Sequence, residues 1–173
     1  MKVVVTLTKK FFDQHPRAGQ PTGFADAVKA GVKIHTCRDN YDYWVKKVEA
    51  LKDADGTLCI REWTGRPFRS PQGTIKEIPA ATVDVAKLKL TKGQPPFGAC
   101  RKPTECYLAT VDGVPVDVEA LARNDGFTDR RDFTAFIDPL FAKYGTDTIT
   151  LAIIHFTPYR YGSEENERPN ADQ

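Results

Sequence analysis

Gly31-Val32-Lys33-Ile34-His35-Thr36-Cys37-Arg38-Asp39 is the stretch on which the reading of this chain turns, because a helix pattern ends in it and a strand pattern begins. Upstream, from Thr22, residues Phe24, Ala27 and Val28 fall on one helical face, and Gly31 stands where a left-handed helix end suits glycine. Downstream the spacing predicts a strand over residues 33–38. In a regular strand Ile34, Thr36 and Arg38 share one face, and Lys33, His35 and Cys37 share the other. Lys33 and Thr36 therefore meet only if Lys33 lies in the turn before the strand proper.

Working outward, residues 3–7 form a β-branched run that reads as a buried strand, followed by Lys9-Lys10-Phe11-Phe12 and a Pro- and Gly-rich loop over 15–23. On the other side Asn40 is a good N-cap for a helix whose apolar residues Tyr41, Trp44, Val45, Val48 and Leu51 keep helical spacing, with Gly56 closing it. Strands are expected over 57–64, 82–90, 106–111 and 147–156, the last central in its sheet. Loops are expected over 65–73 and 92–104. Asp117 caps a short helix that stops at Gly126, and Thr128 caps a longer one in which Pro139 predicts a kink or an early end.

Strands thus run along the whole chain with helices inserted, without the regular alternation of a doubly wound fold. The fold class expected is α+β: a curled, mostly antiparallel sheet or small barrel with helices packed at its ends. One domain over 1–162 is expected, with a polar, disordered tail over 163–173. No apolar run reaches membrane-spanning length and the N-terminus has no secretory pattern, so a cytoplasmic protein away from the membrane is expected. Net charge is 25 − 23 = +2, but residues 163–173 hold four carboxylates against Arg168, leaving 24 − 19 = +5 on the remainder. That balance excludes neither a nucleic-acid partner nor a small-molecule one. Cys37, Cys59, Cys100 and Cys106 read as reduced thiols, and no histidine stands at zinc-site spacing from Cys100 and Cys106. Neither a metal nor a cofactor is expected.

The stretch over 31–39 resembles the GxKxxExR signature of the ASCH domains, a branch of the PUA-like superfamily of small β-barrels. Gly31, Lys33 and Arg38 match, and Thr36 stands where that family more often has Glu. It is closer still to the bacterial ASCH proteins that hydrolyse acetylcytidine, whose five fixed motif positions are met by Gly31, Lys33, Thr36, Arg38 and Asp39. The resemblance covers residues 3–38 and, more weakly, 105–156; residues 44–104 are an insertion without a counterpart. It implies a PUA-like barrel with Lys33 and Thr36 as catalytic residues. A third, a carboxylate before a helix, corresponds to Asp125.

Two functions follow. The first is a binding module for RNA or a modified nucleobase, in which aromatic rings stack on bases and arginines meet phosphates or base edges. Its ligand-binding candidates are Arg38 and His35 in the motif, and Trp63, Arg66 and Arg69 in the loop after the third expected strand. The alternative is an amide hydrolase acting on acetylcytidine-like nucleosides. There Thr36 is the nucleophile, Lys33 the base once burial lowers its pKa, and Asp125 positions Lys33 or a water. Against both stands the plain reading that Lys33 is a solvated surface cation and that Arg38 pairs with Asp39 or Asp42.

Overall fold

The structure, a computed structural model, describes residues 1–93 and 106–163. The chain is mixed α+β, its strands forming two sheets. The smaller has the order β1-β3-β4, with β1 (Lys2–Leu7) parallel to β3 (Thr57–Trp63), and β3 antiparallel to β4 (Gln72–Pro79). The larger has the order β2-β8-β5-β6-β7 and is antiparallel throughout: β2 is His35–Arg38, β5 Asp84–Lys92, β6 Tyr107–Val111, β7 Val114–Val116 and β8 Thr148–His155. No strand ladder joins the two sheets among the described residues.

Side-chain alternation explains which faces meet. In β1 the residues Val3, Val5 and Leu7 are buried while Lys2 and Val4 face water. β8 is flanked by β2 and β5, and from Leu151 to His155 every residue is buried, as a central strand covered on both faces requires. The core runs continuously from Val5, Leu58 and Ile60 of the small sheet to Leu88, Leu151 and Ile153 of the large one. Helix α2 (Tyr41–Asp53) lies against β5 and β8 of the large sheet and β1 of the small one, and so ties the two together. Its Asn40 cap accepts from the Tyr43 N–H at 3.2 Å.

Several expectations are corrected. Helix α1 (Phe24–Lys29) starts two residues after Thr22, with Gly23 as its cap. Helix α3 is Val118–Asn124, capped by Asp117 as expected. The cap of α4 (Arg130–Tyr144) is Asp129 rather than Thr128, because the Asp129 carboxylate accepts from the N–H groups of Arg131 and Asp132. Pro139 does not end α4, which continues to Tyr144 and closes at left-handed Gly145. β4 was not expected as a strand; its apolar residues, Ile75 and Ile78, do not keep strict alternation, and Ile75 is only half-buried. Within the segment expected to be an insertion, β5 lies in the interior of the larger sheet, between β8 and β6.

Cys37 and Cys59 are free and buried, whereas Cys106 is disulfide-bonded, which overturns the expectation of four reduced thiols. No helix among the described residues is long and apolar enough to cross a membrane. The loop expected over 92–104 lies outside the described residues from 94 on, and so does the tail from 164 on.

Candidate functional site

Gly31 has φ +74°, a left-handed turn that costs glycine little, and it ends α1 abruptly. The next two N–H groups, of Val32 and Lys33, both donate to the Ala27 carbonyl. Lys33 is thereby held in the turn, and β2 begins only at His35. This is the condition under which Lys33 and Thr36 reach one space.

Lys33 is 1% exposed. Its ammonium donates to the Asp125 backbone carbonyl at 2.5 Å and forms an ion pair with the Asp125 carboxylate, whose other oxygen accepts from the Cys37 N–H at 3.1 Å. The ammonium also lies 4.5 Å from the centre of the Phe24 ring. Asp125 is placed by the end of α3, where it is the C-terminal cap, so Lys33 also meets the negative end of that helix. Gly126 follows with φ +83°, and a Cβ there would sit 3.0 Å from the Lys33 Cβ; the lysine stem packs into the space glycine leaves. Burial pulls the Lys33 pKa below its usual 10.5, and the Asp125 charge opposes that pull.

Lys33, Thr36, Arg38 and Asp125 line one cavity together with the rings of Phe24 and Phe127. Thr36 is 2% exposed, and its hydroxyl has no hydrogen-bond partner among the described residues. The space left to the centre of a water molecule is only about 10 Å³, room for a single water rather than a nucleoside. Arg38 donates to the carbonyls of Thr6 at 2.7 Å and Cys37 at 3.2 Å, binding β2 to the end of β1. It pairs with neither Asp39 nor Asp42. Asp39 is instead bound by Lys143 and Tyr144.

His35 is not part of this cavity. It is fully buried, with Nε2 bonded to the Tyr161 hydroxyl at 2.8 Å, and Tyr161 also accepts from Asn124 at 3.0 Å. The ring of His155 lies 5.5 Å from that of His35, and neither of its nitrogens has a partner. Burial drives the His155 pKa down to about 3 and that of His35 well below 6.5. Sequence reasoning missed Tyr161 and His155 as neighbours of His35, although the His35 and His155 positions are paired in the β2 and β8 register.

His35, Cys37 and Asp125 bring one ligand atom each within 4.8 Å of one another, a donor set that zinc accepts. The Lys33 ammonium already neutralises Asp125, so a divalent ion at that point would have to displace it. Burial also pushes the Cys37 thiol well above 9.0, away from the thiolate a metal needs.

Beside the closed cavity lies an open cleft of about 720 Å³, and the two share Leu7 and Thr8 as a common wall. Trp63 and Phe68 line the cleft with their ring centres 5.3 Å apart, and Arg66 lines it as well. Arg69 is exposed and lies outside it. Compared with known proteins, the chain matches no family model, no curated protein sequence and no solved structure.

Proposed function

We propose that the chain binds RNA or a modified nucleobase beside the motif at residues 31–39, as an ASCH-type domain whose two sheets correspond to a PUA-like curled barrel. The observation that carries this reading is the convergence of Lys33, Thr36, Arg38 and Asp125 on one cavity from the α1 end, β2 and the α3 end. An unpaired hydroxyl beside a buried ammonium offers a donor and an acceptor for the polar edge of a base. A base approaches from the open cleft and meets Lys33 and Thr36 only if the Leu7 and Thr8 wall gives way, since the closed cavity holds no more than a water.

A second reading, hydrolysis of an acetylcytidine-like amide, is favoured by the burial that lowers the Lys33 pKa. Neutral Lys33 takes the Thr36 hydroxyl proton as Oγ1 bonds to the acyl carbon, and the carbonyl electron pair moves onto oxygen. Collapse breaks the bond to the exocyclic nitrogen, which leaves as the amine after taking the proton from Lys33. Water then cleaves the acyl ester on Thr36, passing a proton through Lys33 and releasing the carboxylic acid. Asp125 orients the Lys33 nitrogen throughout.

Binding and turnover of N4-acetylcytidine by the full chain, Thr36→Ala and Lys33→Ala test both. Cytidine release lost in both variants with unchanged circular dichroism supports hydrolysis. Binding that Thr36→Ala weakens, without turnover, supports the binding module. Neither binding nor turnover by the unmodified chain overturns both readings for this ligand class.

A further inference from the structure

The cleft beside the cavity is lined by Lys9, Lys10 and Arg66 and by no carboxylate. All three cations are exposed, and none forms an ion pair among the described residues. Elsewhere on the surface cations such as Lys2 and Arg17 do have carboxylate partners, Glu77 and Asp132. Phe68 is 88% exposed on a backbone with φ +61°, which a bulky side chain rarely adopts. The hairpin tip holds it there through the Ser70 hydroxyl, which accepts from the Gly65 N–H and donates to the Arg66 carbonyl, each at 2.9 Å. An exposed aromatic held against the half-buried Trp63, with unpaired cations across the gap, is the arrangement that receives a flat apolar ring attached to a negative charge.

Building on the nucleobase reading, we infer that the ligand arrives as a single strand of RNA rather than as a free nucleoside. The nucleotide next to the recognised base stacks on Trp63 and Phe68, and its phosphates lie on Lys9, Lys10 and Arg66. Two features support a strand. The cleft is far larger than one ring needs, and its shared wall with the cavity places adjacent nucleotides in adjacent spaces. Charge complementarity selects a polyanion over an apolar peptide or a second copy of this chain.

The test uses a fluorescein-labelled twelve-residue oligouridylate and, separately, N4-acetylcytidine, each titrated into the full chain. Three released counterions predict that log K for the oligonucleotide falls with log salt at a slope of about −2, and that each of Lys9→Ala and Arg66→Ala reduces the slope by about 0.7. Trp63→Ala and Phe68→Ala weaken the oligonucleotide by roughly ten- to hundredfold, and nucleoside binding by far less. Phe68 and Arg66 are surface groups, so these variants keep the fold even if Trp63→Ala does not. Oligonucleotide binding that ignores Phe68 and Arg66, or self-association of the chain that Phe68→Ala abolishes, overturns the strand inference and leaves the nucleobase reading standing. Oligonucleotide binding through the cleft with no affinity for N4-acetylcytidine has the opposite outcome: the strand inference holds and the reading of the cavity falls.

Discussion

The closed cavity and the open cleft share a wall at Leu7 and Thr8 and treat charge in opposite ways. In the cavity Lys33 is sealed from water and neutralised by Asp125, whose second oxygen takes up the Cys37 N–H. In the cleft Lys9, Lys10 and Arg66 stand in water with no internal partner among the described residues. A charge locked inside contributes to the fold and is costly to disturb; one left outside contributes little to stability and is available to a ligand. Substitutions on the two sides of this wall should therefore separate stability from binding.

The largest effect is expected at Asp125. Asp125→Ala strands a buried ammonium and orphans the Cys37 N–H, so urea denaturation should show a loss of about 3 to 5 kcal/mol. Arg66→Ala, across the wall, should stay within about 0.5 kcal/mol of the unmodified chain. Equal losses for the two would erase the distinction between the sites.

The contrast was only partly legible in the sequence. Gly31, Lys33, Thr36 and Arg38 stood out as a motif, and Gly31 as a left-handed turn is what places Lys33 ahead of the strand. Asp125 was reachable as a carboxylate before a helix. That it would cap α3 and lie on Lys33 depends on pairing across 92 residues, which local pattern does not carry. The cleft needed β4, which seats the hairpin tip and which strand alternation did not reveal. Helix α2 was clear because cap and periodicity agree, while of the two outcomes Pro139 allows, a kink or an early end, the early end is excluded because α4 continues to Tyr144.

Acid should act next, and only from the buried side. In the folded chain burial holds His155 at about 3 and His35 well below 6.5, while in the unfolded chain both return to about 6.5. Between those values the unfolded chain binds more protons, so stability is complete above about pH 6.5 and falls as pH drops through this window. From pH 6.5 to 5, above the range where carboxylates titrate, His155 should cost about 1.5 to 2 kcal/mol, and His35 adds a loss of the same sign. His155→Phe should flatten the urea midpoint against pH by one proton's worth. An unchanged slope in that variant would mean His155 titrates normally.

A smaller effect isolates the packing of the Lys33 stem. Gly126 and Gly113 share φ +83°, but a Cβ at Gly113 meets nothing within 4 Å, whereas one at Gly126 crowds three carbons of Lys33. Gly113→Ala should lose only the left-handed backbone term, about 1 to 2 kcal/mol. Gly126→Ala should lose that amount and more, and should shift N4-acetylcytidine binding if the cavity is the site. Matching losses in thermal and urea unfolding would show that the lysine stem yields freely.

The smallest expected change in stability has the most to say about the cleft. Phe68→Gly removes a side chain that is 88% exposed from a backbone at φ +61°. Relief of that strain stabilises the fold by about 1 to 2 kcal/mol, offset by the roughly 0.5 to 1 kcal/mol that glycine costs through a more flexible unfolded chain. The net should lie between no change and a gain of about 1.5 kcal/mol, with oligonucleotide affinity falling at the same time. A residue that weakens the fold by its presence and strengthens binding is one kept for the ligand, as strain at a binding site requires. If Phe68→Gly instead lowers stability, the ring packs on Trp63 as part of the fold, and the cleft is an extension of the core rather than a surface held open for a strand.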